Sequence, residues 1–221
     1  RSLLFNLIFW LSVPLFVLMG QFAYRAGTTE RLYDAAYKWV GRLPGGLAGT
    51  TIAASAGFSA ICGSNSATTA TMGTIAMPEM RRYGYDPALS TGAIAVGGTL
   101  GVVIPPSVVL IVIAVQTEQS LLRLFVAAVV PGLILTALFL ATIFWMCKRN
   151  PALGPLGPQT TWGEKIRALT GVIEALLLFG LVIGGLYMGW FTPTEAGAAG
   201  AFGALAIGLL ATVFVLIAYG T

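Results

Sequence analysis

Hydrophobic positions lie along the chain in long blocks, separated by short polar or Pro/Gly-rich breaks. Apolar runs cover Ser2 to Phe22, Leu121 to Cys147, Ile166 to Tyr187 and Ala196 to Tyr219, each near the roughly 20 residues that cross a bilayer as a helix. Runs in series predict a multi-spanning all-α membrane protein rather than a singly anchored one.

Between these runs the pattern changes. From Thr28 to Leu43 the apolar positions Leu32, Ala35, Ala36, Trp39, Val40 and Leu43 share one helical face, with Arg31, Asp34, Lys38 and Arg42 outside it. This spacing predicts an amphipathic helix lying flat at the membrane interface, broken by Pro44, Gly45 and Gly46. Two arms of mostly small residues follow, Leu47 to Cys62 and Ala67 to Met77, joined by the polar Gly63, Ser64, Asn65 and Ser66. At about 15 residues, or ~22 Å, each arm is too short to span. The pair therefore predicts a re-entrant hairpin with its polar tip near mid-membrane. Pro78, Arg81, Arg82 and the turn-like Tyr83 to Pro87 return the chain to water.

Ala88 to Thr117 has the length of one span, but Gly97, Gly98, Thr99, Leu100 and Gly101, and then Pro105, Pro106 and Ser107, are expected to interrupt it. Adjacent prolines remove two backbone donors and free the carbonyls one turn upstream. Open backbone at that depth is tolerated only where it lines a cavity or is packed in protein. The polar loop Lys148 to Gly163 and the break Gly189 to Thr194 divide the remaining spans.

Composition agrees with this reading: 57% of the residues are hydrophobic and 9% charged, against roughly 25% charged in an ordinary soluble domain. The net charge of +4 comes from twelve basic and eight acidic residues. Threaded through a bilayer with the hairpin entering and leaving on one side, Arg25, Arg31, Lys38, Arg42, Arg81, Arg82, Lys148, Arg149, Lys165 and Arg167 share one face. Only Arg1 and Arg123 fall on the other, so the basic face is cytoplasmic. The basic residues form no aromatic-interleaved patch for nucleic acid. There is no His, and Cys62 and Cys147 stand far apart, which suggests neither a zinc site nor a disulfide framework. The chain opens at Arg1 and closes at Thr221 directly on a span, so it is expected to be part of a longer protein.

Two features meet at the expected midplane: the hydroxyl- and amide-rich hairpin tip, and the helix opened before Pro105, Pro106 and Ser107. Unwound carbonyls and hydroxyls can replace the hydration shell of Na⁺, while helix N-termini attract an anion. The structural alternatives are a polar loop at the tip and a proline kink that only shapes packing. Glu174, about two turns into its span from Arg167, is expected to snorkel or to pair with the cytoplasmic basic cluster. Glu195 is expected to sit in a first turn capped by Thr194. A proton relay through either is the alternative. Gly197, Ala201 and Ala204, and likewise Gly180 and Gly184, are expected to bring helices close. Trp10, Trp39, Trp145 and Trp190 fall near interfaces as anchors. No triad, GxSxG motif, Walker loop or paired intramembrane carboxylates support an enzyme.

These residues resemble the large membrane subunit of tripartite ATP-independent periplasmic (TRAP) transporters. The resemblance spans nearly the whole chain: PLFVLMG at Pro14 to Gly20, GGLAGT at Gly45 to Thr50, GSNSATTATMGTIAMPEM at Gly63 to Met80, GYDPALSTG at Gly84 to Gly92, GTLGVVIPPS at Gly98 to Ser107, LFVAAVVPG at Leu124 to Gly132, and GWFTPTEAGA at Gly189 to Ala198. Asn65 and Ser66 depart from the Gly-Ser-Ser wording most usual at the family's tip.

The resemblance implies an elevator-type secondary transporter of two inverted repeats in the bacterial inner membrane, each repeat supplying a hairpin and a discontinuous helix. On that pattern 1–43 is a scaffold span with an interfacial arm helix, and 44–118 carries transport-domain elements, the re-entrant hairpin 44–83 and the broken helix 86–118. Residues 119–164 are then a span and a cytoplasmic loop, and 165–221 leads into the second repeat. It further implies Na⁺ ligands at Gly63, Ser64, Asn65, Ser66, Gly98, Thr99, Gly101, Val103 and Pro105, with Ser107 also at the ion site, and substrate contacts at Ser64, Asn65, Ser66, Thr68, Pro106 and Ser107. Na⁺ is the implied coupling ion, with no other cofactor. The implied partners are a small membrane subunit and a periplasmic binding protein delivering a C4-dicarboxylate, a sialic acid or a similar carboxylate. The rival readings are a divalent-anion/sodium symporter working without a binding protein, and a non-transporting membrane assembly or channel subunit.

Overall fold

The computed structural model describes the backbone of residues 2–157 and 160–219 and the side chains of 11–157, 160–210 and 213; Arg1, Thr221 and the Trp10 side chain lie outside these. The described residues form helices and no strand: α1 Ser2–Arg25, α2 Thr28–Val40, α3 Gly46–Cys62, α4 Asn65–Arg82, α5 Pro87–Val103, α6 Val108–Gln116, α7 Leu121–Arg149, α8 Trp162–Phe179, α9 Gly185–Tyr187 and α10 Pro193–Tyr219. A π-helical turn, Gly180–Gly184, joins α8 to α9. Among the described residues, four stretches are long and apolar enough to cross a bilayer: Pro87–Gln116 across the α5–α6 break, α7, Trp162–Tyr187, and α10 as far as Leu210. The chain is an all-α membrane protein, as its apolar runs predict.

Helix α3 sits at the centre because its sequence leaves little bulk on any side. Gly57 lies under Leu32 of α2, Ser55 faces Gly97 of α5, and Cys62 abuts Gly20 of α1. Ile52, Ala54, Phe58 and Ile61 are buried, and a helix enclosed all round shows little amphipathic periodicity. Two of its embedded hydroxyls turn back on the helix: Thr50 donates to the Gly46 carbonyl at 2.8 Å and Thr51 to the Leu47 carbonyl at 2.9 Å.

The two feet of the α3–α4 hairpin meet. The Tyr85 hydroxyl accepts from the Leu47 N–H at 3.0 Å and donates to the Pro155 carbonyl at 2.8 Å, and burial holds its phenol above the usual pKa. The segment after α7 straps this end together. Asp86 N–H donates to the Leu153 carbonyl at 3.0 Å, Gly157 N–H to the Gly41 carbonyl at 3.1 Å, and the Thr160 hydroxyl to the Lys38 carbonyl at 3.0 Å. The end of α2, both hairpin feet and the start of α5 thus share the end of the molecule that carries Lys38, Arg42, Arg81, Arg82, Lys148 and Arg149. Arg123 lies at the opposite end of the 29-residue α7. The arms run to 17 and 18 residues, longer than expected, because α4 continues through Pro78 to Arg82. Asp86 then starts α5 by accepting from the Ala88 and Leu89 N–H groups at 2.9 and 3.0 Å, with Pro87 in the first turn.

Helices α1 and α10 run parallel. Ser12 Oγ lies 2.7 Å from Thr194 Oγ1, and Gly197, Gly200 and Gly208 face Leu15, Met19 and Ala26 in turn. Ala201 and Ala204 are buried in the same contact. Gly180 and Gly184 do not serve this purpose as expected: a Cβ on either meets nothing within 4 Å, and they bound the π turn instead.

Two further expectations are revised, for α2 and for the start of α10, and the course of α2 supplies the partner of Glu174. The apolar face of α2 meets protein rather than a lipid surface, lying antiparallel to α3 with Leu32 on Gly57 and Val40 on Gly49. Its other flank follows α8, where Trp39 stands edge-on to Trp162 with centroids 6.4 Å apart. That course brings Arg31 to Glu174, an ion pair of 2.6 Å supported by the Thr28 hydroxyl at 3.1 Å. The carboxylate therefore pairs with the basic cluster as expected, through Arg31 of α2. At the start of α10 the cap is Thr192, not Thr194. Thr192 N–H donates to Glu195 Oε2 at 2.7 Å and Glu195 N–H to Thr192 Oγ1 at 3.4 Å, while Thr194 turns to Ser12.

Candidate functional site

The hairpin tip and the break between α5 and α6 come together. Gly63 ends α3 in the left-handed region at φ 59°, which costs a glycine nothing. Ser64 is extended and caps α4, its Oγ accepting from the Ala67 N–H at 3.4 Å.

Opposite the tip, α5 stays helical through Gly97 to Gly101 and ends only at Val103. The glycines were expected to interrupt this helix; instead they let α4 rest on its backbone. A Cβ on Gly98 would collide with Thr69 Oγ1, and one on Gly101 would lie 2.9 Å from the Ser64 carbonyl carbon and 3.0 Å from the Asn65 nitrogen. A Cβ on Gly63 would run into the Pro106 carbonyl oxygen. The Val108 N–H donates to the Gly63 carbonyl at 3.1 Å, tying the start of α6 to the tip.

The break itself, 104–107, follows from Pro105 and Pro106, which have no N–H for the Gly101 and Val102 carbonyls. The Ser107 hydroxyl donates to the Val102 carbonyl at 2.7 Å and accepts from the Leu110 N–H at 3.5 Å, capping α6. Two helix ends, of α3 and α5, and two helix starts, of α4 and α6, therefore converge. Ends present carbonyl oxygens and starts present N–H groups, so the arrangement can favour a cation and an anion side by side. No group of three or more His, Cys, Asp or Glu able to hold a metal occurs among the described residues. Neutral oxygens suit a hard monovalent cation better than a transition metal.

Of the expected site residues, Gly63, Ser64, Asn65, Gly98, Gly101, Pro106 and Ser107 are brought together, with Val103 and Pro105 adjoining them in the break. Asn65, Ser66 and Thr99 are exposed, and the Thr99 hydroxyl donates to the Val96 carbonyl at 2.6 Å. Thr68 is buried and turned away, with Oγ1 3.4 Å from Ser59 Oγ and 3.2 Å from Cys62 Sγ. Three contributors were missed by sequence reasoning: Thr69, Val102 and Val108. Thr69 lies one helical turn after Asn65, whose carbonyl its hydroxyl meets at 2.9 Å. Val102 stands four residues before Pro106, so its orphaned carbonyl was legible in the spacing. A cavity of about 570 Å³ lies away from this site, among Ser12, Ile111, Gln119, Thr192 and Glu195.

Residues 7–219 match the family described as the tripartite ATP-independent periplasmic transporter, DctM component. Among curated proteins, the chain is 40% identical over 193 residues to the C4-dicarboxylate TRAP transporter large permease protein DctM of Pseudomonas aeruginosa, covering 86% of this chain and 44% of that protein. It is 36% identical over 195 residues to the 2,3-diketo-L-gulonate TRAP transporter large permease protein YiaN of Escherichia coli, covering 88% and 45%. It is 33% identical over 198 residues to the sialic acid TRAP transporter large permease protein SiaM of Vibrio cholerae, covering 90% and 46%. The chain spans about half the length of the curated relatives it matches.

Proposed function

Because this chain belongs to the DctM-component family of tripartite ATP-independent periplasmic transporters, permease subunits that cross the bacterial inner membrane several times, we propose that it supplies the first half of the binding machinery of a Na⁺-coupled importer of an organic anion. The observation that carries this reading is the convergence of two helix ends and two serine-capped helix starts, tied by the Val108 N–H to the Gly63 carbonyl at 3.1 Å.

In this proposal the carbonyls of the tip and of the end of α5, at Gly63, Gly101 and Val103, take the place of water around Na⁺. The starts of α4 and α6 favour the carboxylate of the substrate beside it. Asn65, Ser66 and Thr99 face outward, where a second repeat would complete the site. Residues 44–118 form the transport elements, entering and leaving from the cytoplasmic side; α1, α2 and the spans from α7 onward form the scaffold. The relatives are named for C4-dicarboxylate, 2,3-diketo-L-gulonate and sialic acid, which favours an organic acid here. A small membrane subunit and a periplasmic binding protein are the proposed partners. An ion gradient is the proposed energy source.

The test is uptake by the complete permease with its small subunit and binding protein in proteoliposomes. An inward Na⁺ gradient is expected to drive accumulation of a labelled organic acid, and replacing Na⁺ by K⁺ to abolish it. Uptake indifferent to Na⁺ would overturn the coupling.

A further inference from the structure

The resemblance implies that Ser107 is a direct ligand, at the ion site and among the substrate contacts. Its surroundings point elsewhere. The side chain is fully buried; its one proton is committed to the Val102 carbonyl at 2.7 Å, and its oxygen accepts from the Leu110 N–H at 3.5 Å. A substrate could reach this hydroxyl only by displacing the cap of α6. Pro106 explains why the Val102 carbonyl needs such a donor, since in an unbroken helix the N–H at 106 would occupy it.

The neighbouring carbonyls are in a different state. Pro105 has no N–H for the Gly101 carbonyl, and no backbone N–H reaches the Val103 carbonyl among the described residues. Each peptide unit is planar and turns only about the φ and ψ at its ends. The Ser107 hydroxyl anchors the Val102 unit, which shares an α-carbon with each of the units that carry the Gly101 and Val103 carbonyls, and so restricts the directions those two can take. The same hydroxyl sets where α6 begins, and with it the Val108 N–H that holds the Gly63 carbonyl of the tip at 3.1 Å.

We infer that Ser107 is a positioning residue for the cation rather than a substrate ligand: its hydroxyl stands in for the missing N–H of Pro106, removes the Val102 carbonyl from the ligand set, and leaves the Gly101 and Val103 carbonyls aimed and unpaired. The inference rests on the Na⁺-coupled reading above and adds to it which oxygens of the break are free and what directs them.

The experiment compares Na⁺ half-saturation and substrate KM at saturating Na⁺ in the complete permease, assembled with its partners in proteoliposomes. Ser107→Ala is expected to raise Na⁺ half-saturation by about tenfold or more, the scale of one lost hydrogen bond that leaves its acceptor unpaired. Substrate KM at saturating Na⁺ stays near wild type, and Ser107→Thr, which keeps the donor, restores Na⁺ affinity. If Ser107→Ala does not reach the membrane, Ser107→Cys replaces it. A thiol is a weak donor, so Na⁺ half-saturation is expected to be higher in the Cys than in the Thr variant, and equal values overturn the inference. A rise in substrate KM with unchanged Na⁺ dependence assigns Ser107 to the substrate and also overturns it. Wild-type uptake without Na⁺ dependence instead removes the coupled reading itself, and the inference with it.

Discussion

Gly63, Gly98 and Gly101 are positions where the site leaves no room for a side chain, and each is closed by a different kind of neighbour. At Gly98 the obstacle is the Thr69 hydroxyl, which can rotate. At Gly101 it is the backbone of Ser64 and Asn65, which cannot give without moving the tip. Gly92, two turns earlier on the same helix, meets nothing within 4 Å. Gly101→Ala is therefore expected to lift the tip from α5 and reduce Na⁺-dependent uptake severely. Gly92→Ala should leave uptake intact and raise thermal stability slightly, because alanine is favoured over glycine in a helix by about 1 kcal/mol. Uptake and thermal unfolding of both variants check this, and equal loss in the two would show that the contact at Gly101 is not special. At this scale the sequence was legible in part. Gly63 and Ser64 announce a helix stop followed by a cap, and Pro105 and Pro106 announce the break. The glycines from 97 to 101 were misread because helix propensity cannot see that α4 lies against them. Thr192 and Glu195 have the capping-box spacing, which the nearer Thr194 obscured.

Among the helices, the hairpin is held at its feet as well as at its tip. Tyr85 links the first turn of α3 to the loop after α7 through two hydrogen bonds, at 3.0 Å from Leu47 N–H and 2.8 Å to the Pro155 carbonyl. Tyr85→Phe keeps the ring against Gly154 but removes both bonds and leaves the buried Leu47 N–H unpaired, which costs roughly 1–3 kcal/mol. Hydrogen exchange is expected to accelerate first at residues 45–47 and 153–157, while α7 stays protected; uniform acceleration would mean that the strap is not a separate unit. The hairpin was legible because its arms are short, apolar and joined by a polar tip. The strap was not, since its bonds connect residues as distant as Lys38 and Thr160. The pairing of Arg31 with Glu174 belongs to the same class: an antiparallel α2 brings together groups that no local spacing relates.

In the whole molecule, large apolar side chains remain uncovered on the spans: Val130 and Leu133 on α7, Leu177 on α8, Phe202 and Leu210 on α10 are each more than 60% exposed. Lipid and the remainder of a longer permease are the environments such faces suit. Helices α1 and α10 run parallel, and Lys38, Arg42, Arg81, Arg82, Lys148 and Arg149 gather at the end where the hairpin feet meet, which is what the positive-inside rule expects of a cytoplasmic face. The central claim is that α3 and α4 dip into the membrane and return, delivering the tip to the broken helix. Single cysteines at the exposed positions Leu43 and Tyr83, in a full-length permease with Cys62 and Cys147 replaced, test it most directly with a membrane-impermeant maleimide. The account predicts that both label only from the cytoplasmic side; labelling of the two from opposite sides would contradict it.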